Sequence, residues 1–102
     1  MKQHVLDSIK QTLFLHLPVG GRALLFGSQA RDEATENSDY DFYIKRGNLR
    51  GMFQLSGLFL DMQRVLNQKV DIVIDPEGHK KLDDYIANAI QKDGILVYAK
   101  SA

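Results

Sequence analysis

Between Phe26 and Ile44 the chain reads Phe26-Gly27-Ser28-Gln29-Ala30-Arg31-Asp32-Glu33-Ala34-Thr35-Glu36-Asn37-Ser38-Asp39-Tyr40-Asp41-Phe42-Tyr43-Ile44. An apolar run, Ala23-Leu24-Leu25-Phe26, stops at a Gly27-Ser28 turn, a polar segment follows, and two aspartates spaced two apart head a second apolar run. Apolar runs bounded by turn residues read as buried strands, so Ala23–Phe26 and Tyr40–Ile44 are taken as two strands of one sheet. Successive side chains on a strand alternate faces. Tyr40, Phe42 and Ile44 therefore face the core, while Asp39, Asp41 and Tyr43 share the other face. Two carboxylates about 4 Å apart repel by roughly 1 to 4 kcal/mol, depending on the effective dielectric. A hard cation such as magnesium turns that cost into a binding site, using one or two carboxylates together with substrate phosphates.

Working outward, Val5, Leu6, Ile9, Leu13 and Phe14 fall at helical steps and predict a helix from about residue 2 to His16, ended by Pro18 and Gly20-Gly21. Gln29 to Ala34 fits a short helix behind the turn. From Asn48 to Asn67 the positions Leu49, Met52, Phe53, Leu55, Leu58, Phe59, Met62, Val65 and Leu66 form a long helical pattern. Val70–Ile74 predicts a third strand, stopped by Asp75-Pro76. A last helix, roughly Glu77 to Lys92, precedes Asp93-Gly94 and a tail, Ile95-Leu96-Val97-Tyr98, that is a short strand or a docked extension. The order αβαβαβα(β) predicts one α/β or α+β domain over 1–102, a mixed sheet of three or four strands flanked by about four helices.

The bulk properties narrow the function. At 102 residues the chain is the size of one domain, with 13 Lys plus Arg against 13 Asp plus Glu. That balance leaves no basic excess to hold a nucleic-acid backbone, and nucleic acid is not expected as a partner. Without cysteine there are no disulfides or thiolate zinc sites, and His4, His16 and His79 lack ligand-like spacing. Nowhere do eighteen uncharged apolar residues run together, so we expect a soluble cytoplasmic protein with no membrane partner.

Asp71 interrupts the apolar third strand, where an unpaired charge is costly to bury, so it points out of the core. If the second and third strands are neighbours, Asp71 joins Asp39 and Asp41 as three carboxylates around a metal site. Metals that bridge phosphate oxygens and orient an attacking hydroxyl are central to phosphoryl and nucleotidyl transfer. Gly27 lets the backbone approach a ligand, and the N–H groups opening the short helix, with the Ser28 hydroxyl, suit a triphosphate. Arg31, one turn along, can reach the same phosphates. Taken singly, each residue has a plainer role: Ser28 as a helix cap, Asp39 as a turn residue, Asp71 as an edge-strand charge, Arg31 as an arginine solvated or paired with its neighbours Asp32 and Glu33.

Gly27-Ser28, ten residues, Asp39-x-Asp41 and the later Asp71 together resemble the nucleotidyltransferases related to DNA polymerase beta, and within them the minimal nucleotidyltransferases of the MntA antitoxin type. Ala30-Arg31, Ser38 and the closing Asp93–Tyr98 extend the likeness over nearly the whole chain. The resemblance implies that Asp39 and Asp41 bind magnesium, a pair of ions in all. It implies that Asp71 is the third acid, ligating metal and activating the attacking hydroxyl, and that Gly27, Ser28, Arg31 and Ser38 hold the ATP. It also implies a prokaryotic, type VII antitoxin that transfers AMP from ATP to a tyrosine of a HEPN-domain toxin and forms a hetero-oligomer with it. Binding the toxin without catalysis, or transfer to a small molecule, are the alternatives. One departure stands out: Arg31 is followed by Asp32, where relatives usually carry glycine.

Overall fold

A computed structural model describes residues 1–47, 52–76 and 80–100. In chain order these form α1 (Gln3–His16), β1 (Arg22–Phe26), β2 (Tyr40–Lys45), α2 (Met52–Leu66), β3 (Val70–Ile74), α3 (Asp84–Asp93) and β4 (Ile95–Ala99). The four strands make one mixed sheet in the order β3-β2-β1-β4. β1 runs antiparallel to both β2 and β4. β2 and β3 are parallel, which a tight hairpin cannot connect, and α2 supplies the crossover.

The apolar patterns decide which face is buried. Ala23 and Leu25 of β1, Tyr40, Phe42 and Ile44 of β2, Val70 and Val97 meet Ile9 and Leu13 of α1, Leu17, and Leu58 and Met62 of α2 in one core cluster. Phe42 and Ile44 are fully enclosed, while Lys45 ends the strand in solvent. Phe14 departs from the predicted stripe: it is exposed, with the Lys100 ammonium 4.8 Å from its ring centroid. α1 and α2 are also tied polarly, His16 Nε2 lying 2.9 Å from Asp61 Oδ2. α3 packs against β1 on the opposite face. Among the described residues, the acid-bearing face of the sheet is therefore flanked by one helix, α3.

Two expectations are corrected. Gln29–Ala34 is not a helix but a single turn over Ser28–Asp32, leaving three helices among the described residues where about four were expected. The reason is Asp32, whose φ of 61° is left-handed. Glu33 N–H bonds Ser28 O at 3.0 Å and Asp32 N–H bonds Gln29 O at 3.3 Å, the paired closure of a Schellman motif. The position is thus one where glycine is the natural fit, and Asp is among the few side chains that tolerate it. The last helix begins at Asp84 instead of near Glu77, because the Asp83 carboxylate caps it by accepting from the Tyr85 and Ile86 N–H groups. Residues 48–51 and 77–79, where two of the predicted helices begin, lie outside the described residues.

A candidate nucleotidyl-transfer site

The strand register assembles the acids. Asp41 stands opposite Asp71 across the parallel β2–β3 pair, and Asp39 immediately precedes β2 on the same face. On the other side Asp41 is the partner of Phe26 in β1, so the residue that follows, Gly27, arrives beside the Asp41 carboxylate. A Cβ built on Gly27 would lie 2.5 Å from Asp41 Oδ2, and the φ of 80° there is itself one that favours glycine. Gly27 thus lies close against Asp41, where a side chain would have to displace the carboxylate. Gly27→Ala is expected to destabilise the fold by about 1 to 2 kcal/mol through backbone strain and to swing the Asp41 carboxylate aside. Urea unfolding checks the first effect, and loss of nucleotide-dependent activity beyond the unfolded fraction checks the second.

Burial first, then the charges of Asp71 and Asp39, push the Asp41 carboxyl above its ordinary value of 3.8, against an opposing pull from Lys69. The folded state therefore favours the protonated form. In chelator, stability should fall as pH rises from the ordinary carboxylate value through the raised one, and level off above it. Thermal melts across that range should show this downward contribution in the wild type and its absence in Asp41→Asn.

The intervening loop is organised by side chains. Thr35 N–H donates to Ser38 Oγ at 2.8 Å, and Ser38 N–H donates to Thr35 O, a small closed turn that delivers Asp39 to the head of β2. Gln29 Nε2 reaches Ser38 O at 3.4 Å, a weak tie between the Gly27-Ser28 turn and the acid-bearing end. Where a helix start was expected after Gly27-Ser28, the chain forms this Schellman-closed single turn. Arg31 does not point free: Nη1 lies 2.7 Å from Asp93 Oδ2 and Nε lies 3.1 Å from Glu33 Oε2. A polar cleft of about 390 Å³ opens beside Asp39, lined in part by Glu36, Ser38, Gln68 and Lys69. Among the described residues no three His, Cys, Asp or Glu side chains converge closely enough to hold an ion unaided.

Three contributors escaped the sequence reading. Lys69 Nζ sits 3.7 Å from Asp39 Oδ2, a cation whose only signal was its place just before the third strand. Burial, and then the hydrogen bond its hydroxyl donates to Asp75, hold the Tyr43 phenol above its usual range, on the same face as the acids. Asp93 carried a subtler signal, an acid at the C-terminal end of a helix, where the macrodipole disfavours it.

A sheet that sets paired aspartates against a Gly-Ser turn defines a nucleotidyltransferase. The chain belongs to the family described as Polymerase beta, Nucleotidyltransferase, whose model matches residues 9–102. A curated relative from Methanocaldococcus jannaschii, named "Putative protein adenylyltransferase MJ0435", is 36% identical over 67 residues, covering 66% of this chain and 72% of the relative. A solved toxin-antitoxin structure with AMP-PNP superposes with a TM-score of 0.73 at 18% identity, over 93% of this chain and 73% of the other. A second, of the tri-AMPylated Shewanella oneidensis HEPN toxin in complex with an MNT antitoxin, gives 0.69 at 17% identity over 98% and 74%. At these identities the two structures establish a shared fold. Among the described residues no helix is long and apolar enough to cross a membrane.

Proposed function

We propose that residues 1–102 act as one catalytic unit that transfers AMP from ATP to a hydroxyl of a partner protein. The partner we favour is a HEPN-type toxin, the acceptor its tyrosine, and the setting the cytoplasm of a prokaryote. The observation carrying this is the in-register pairing of Asp41 with Asp71 directly beside the Gly27 turn. Support comes from the adenylyltransferase name of the archaeal relative and from the fold shared with an antitoxin bound to an AMPylated toxin.

Asp39 and Asp41 are the residues that would hold magnesium. The donor set fits: two neighbouring carboxylates, one with its charge disfavoured by the others, are what a cation completed by substrate phosphates requires. Bound there, a pair of ions would neutralise the triphosphate and the departing pyrophosphate. The Gly27 backbone lies against the acids, and the Ser28 hydroxyl and the N–H groups of the turn bind phosphate oxygens. Arg31 adds positive charge to that turn, and Ser38 fixes the approach of Asp39. Asp71, exposed on the edge strand β3, accepts the proton of the acceptor hydroxyl as its oxygen bonds to the α-phosphorus and the bond to the β-phosphate breaks. An acceptor brought by a partner suits a site flanked on one side only.

The test is incubation with α-labelled ATP, magnesium and a HEPN-domain protein. Label on the partner that requires both the chain and the divalent ion supports the reading. Transfer to a small acceptor with no partner present, or no transfer at all, defeats it.

A further inference from the structure

Arg31 and Asp93 are 62 residues apart in sequence and 2.7 Å apart in the fold. We propose that Asp93 is a positioning residue for the nucleotide-binding turn: its carboxylate grips Arg31 and so keeps Gly27–Glu33 in the closed shape that receives the triphosphate. The proposal rests on the reading of that turn given above, and its structural half is testable without it.

The placement of Asp93 argues for a dedicated role. It is the last residue of α3, at the negative end of the helix, and its side chain is only 7% exposed, whereas Arg31 is 39% exposed. A carboxylate this enclosed needs a counter-charge, and Arg31 supplies it. Glu33 offers Arg31 a second contact, but from a side chain that is 67% exposed and so weakly held. Asp93 is also well anchored. Gly94 follows with its N–H on Ile90 O at 2.7 Å, and the next residue, Ile95, pairs with Leu25 of β1. β1 leads directly into the turn that carries Arg31. The pair thus closes a ring of covalent and hydrogen-bonded links running β1, turn, Arg31, Asp93, β4 and back to β1. A rigid frame of this kind pre-forms a site that a loop alone would have to order on binding.

Amide exchange tests the positioning with no nucleotide present. Arg31 N–H bonds Gly27 O at 3.1 Å and Glu33 N–H bonds Ser28 O at 3.0 Å, so both amides report the turn. Asp93→Asn should accelerate exchange at both by about tenfold or more, while Ala87 in α3 stays protected. Arg31→Gln should do the same, and the double variant should add nothing further, because the two residues act as one pair. In turnover, Asp93→Asn should raise the KM for ATP by about tenfold with kcat within about twofold, since it unsettles binding and leaves the acids in place. Unchanged exchange in both single variants, additive effects in the double, or a fall in kcat at constant KM would overturn the proposal. A wild-type chain that bound no ATP would instead overturn the adenylyltransferase reading, with exchange still deciding whether Asp93 positions the turn.

Discussion

Asp41→Asn should lower AMP transfer by on the order of a thousandfold, equivalent to about 4 kcal/mol of barrier, while leaving the protein folded. Asparagine keeps the shape and removes the charge. Asp41 is the acid with most at stake, because it is partly buried, faces Asp71 across the strand pair, touches the position a Gly27 side chain would occupy, and carries the repulsion of both other acids. Losing that repulsion should hold the melting temperature level or raise it. The measurement is label transfer from ATP at saturating magnesium, run alongside thermal unfolding and partner neutralisation. A variant that transfers AMP at the wild-type rate refutes the site, and one that is inactive yet still neutralises the partner fully would favour binding over catalysis.

Phe42→Ala should cost about 3 to 5 kcal/mol of stability, a large share of the roughly 5 to 15 kcal/mol that holds a domain of this size together. Phe42 is fully enclosed on a central strand, opposite Leu25 on one side and Ile72 on the other, with the Tyr40 ring stacked 6.5 Å away on the same face. Rigid neighbours on both flanks leave the cavity little means of collapse. Urea midpoints read the effect, and a loss under about 1 kcal/mol would mean that the sheet repacks more readily than these contacts allow. The site should suffer too, since Asp41 precedes Phe42 on the same backbone.

The strands were legible as apolar runs bounded by turn residues, and an aspartate within such a run announces which way it points. Tyr40–Ile44 and Val70–Ile74 accordingly fall where their patterns place them. What sequence spacing cannot carry is a reversal of backbone handedness or a contact between distant segments. Asp32 ends the turn after Ser28 by adopting a left-handed φ that its side chain does not advertise. Arg31 shows the same limit from another side. Its place one turn along from Gly27-Ser28 let it reach for phosphates, and the group that engages it most closely comes from the far end of the chain. Asp83 capped a helix that the apolar pattern alone would have started earlier.

The parallel pairing of β2 with β3 also sets when the site can exist during folding. Gly27, Asp39 and Asp41 come from neighbouring strands joined by one loop, and that pairing can form early from local contacts. Asp71 reaches them only after α2 has crossed the sheet and β3 has docked at its edge. A chain in which β3 has not docked, or has parted from β2, would keep its turn and paired acids but lack Asp71 beside them.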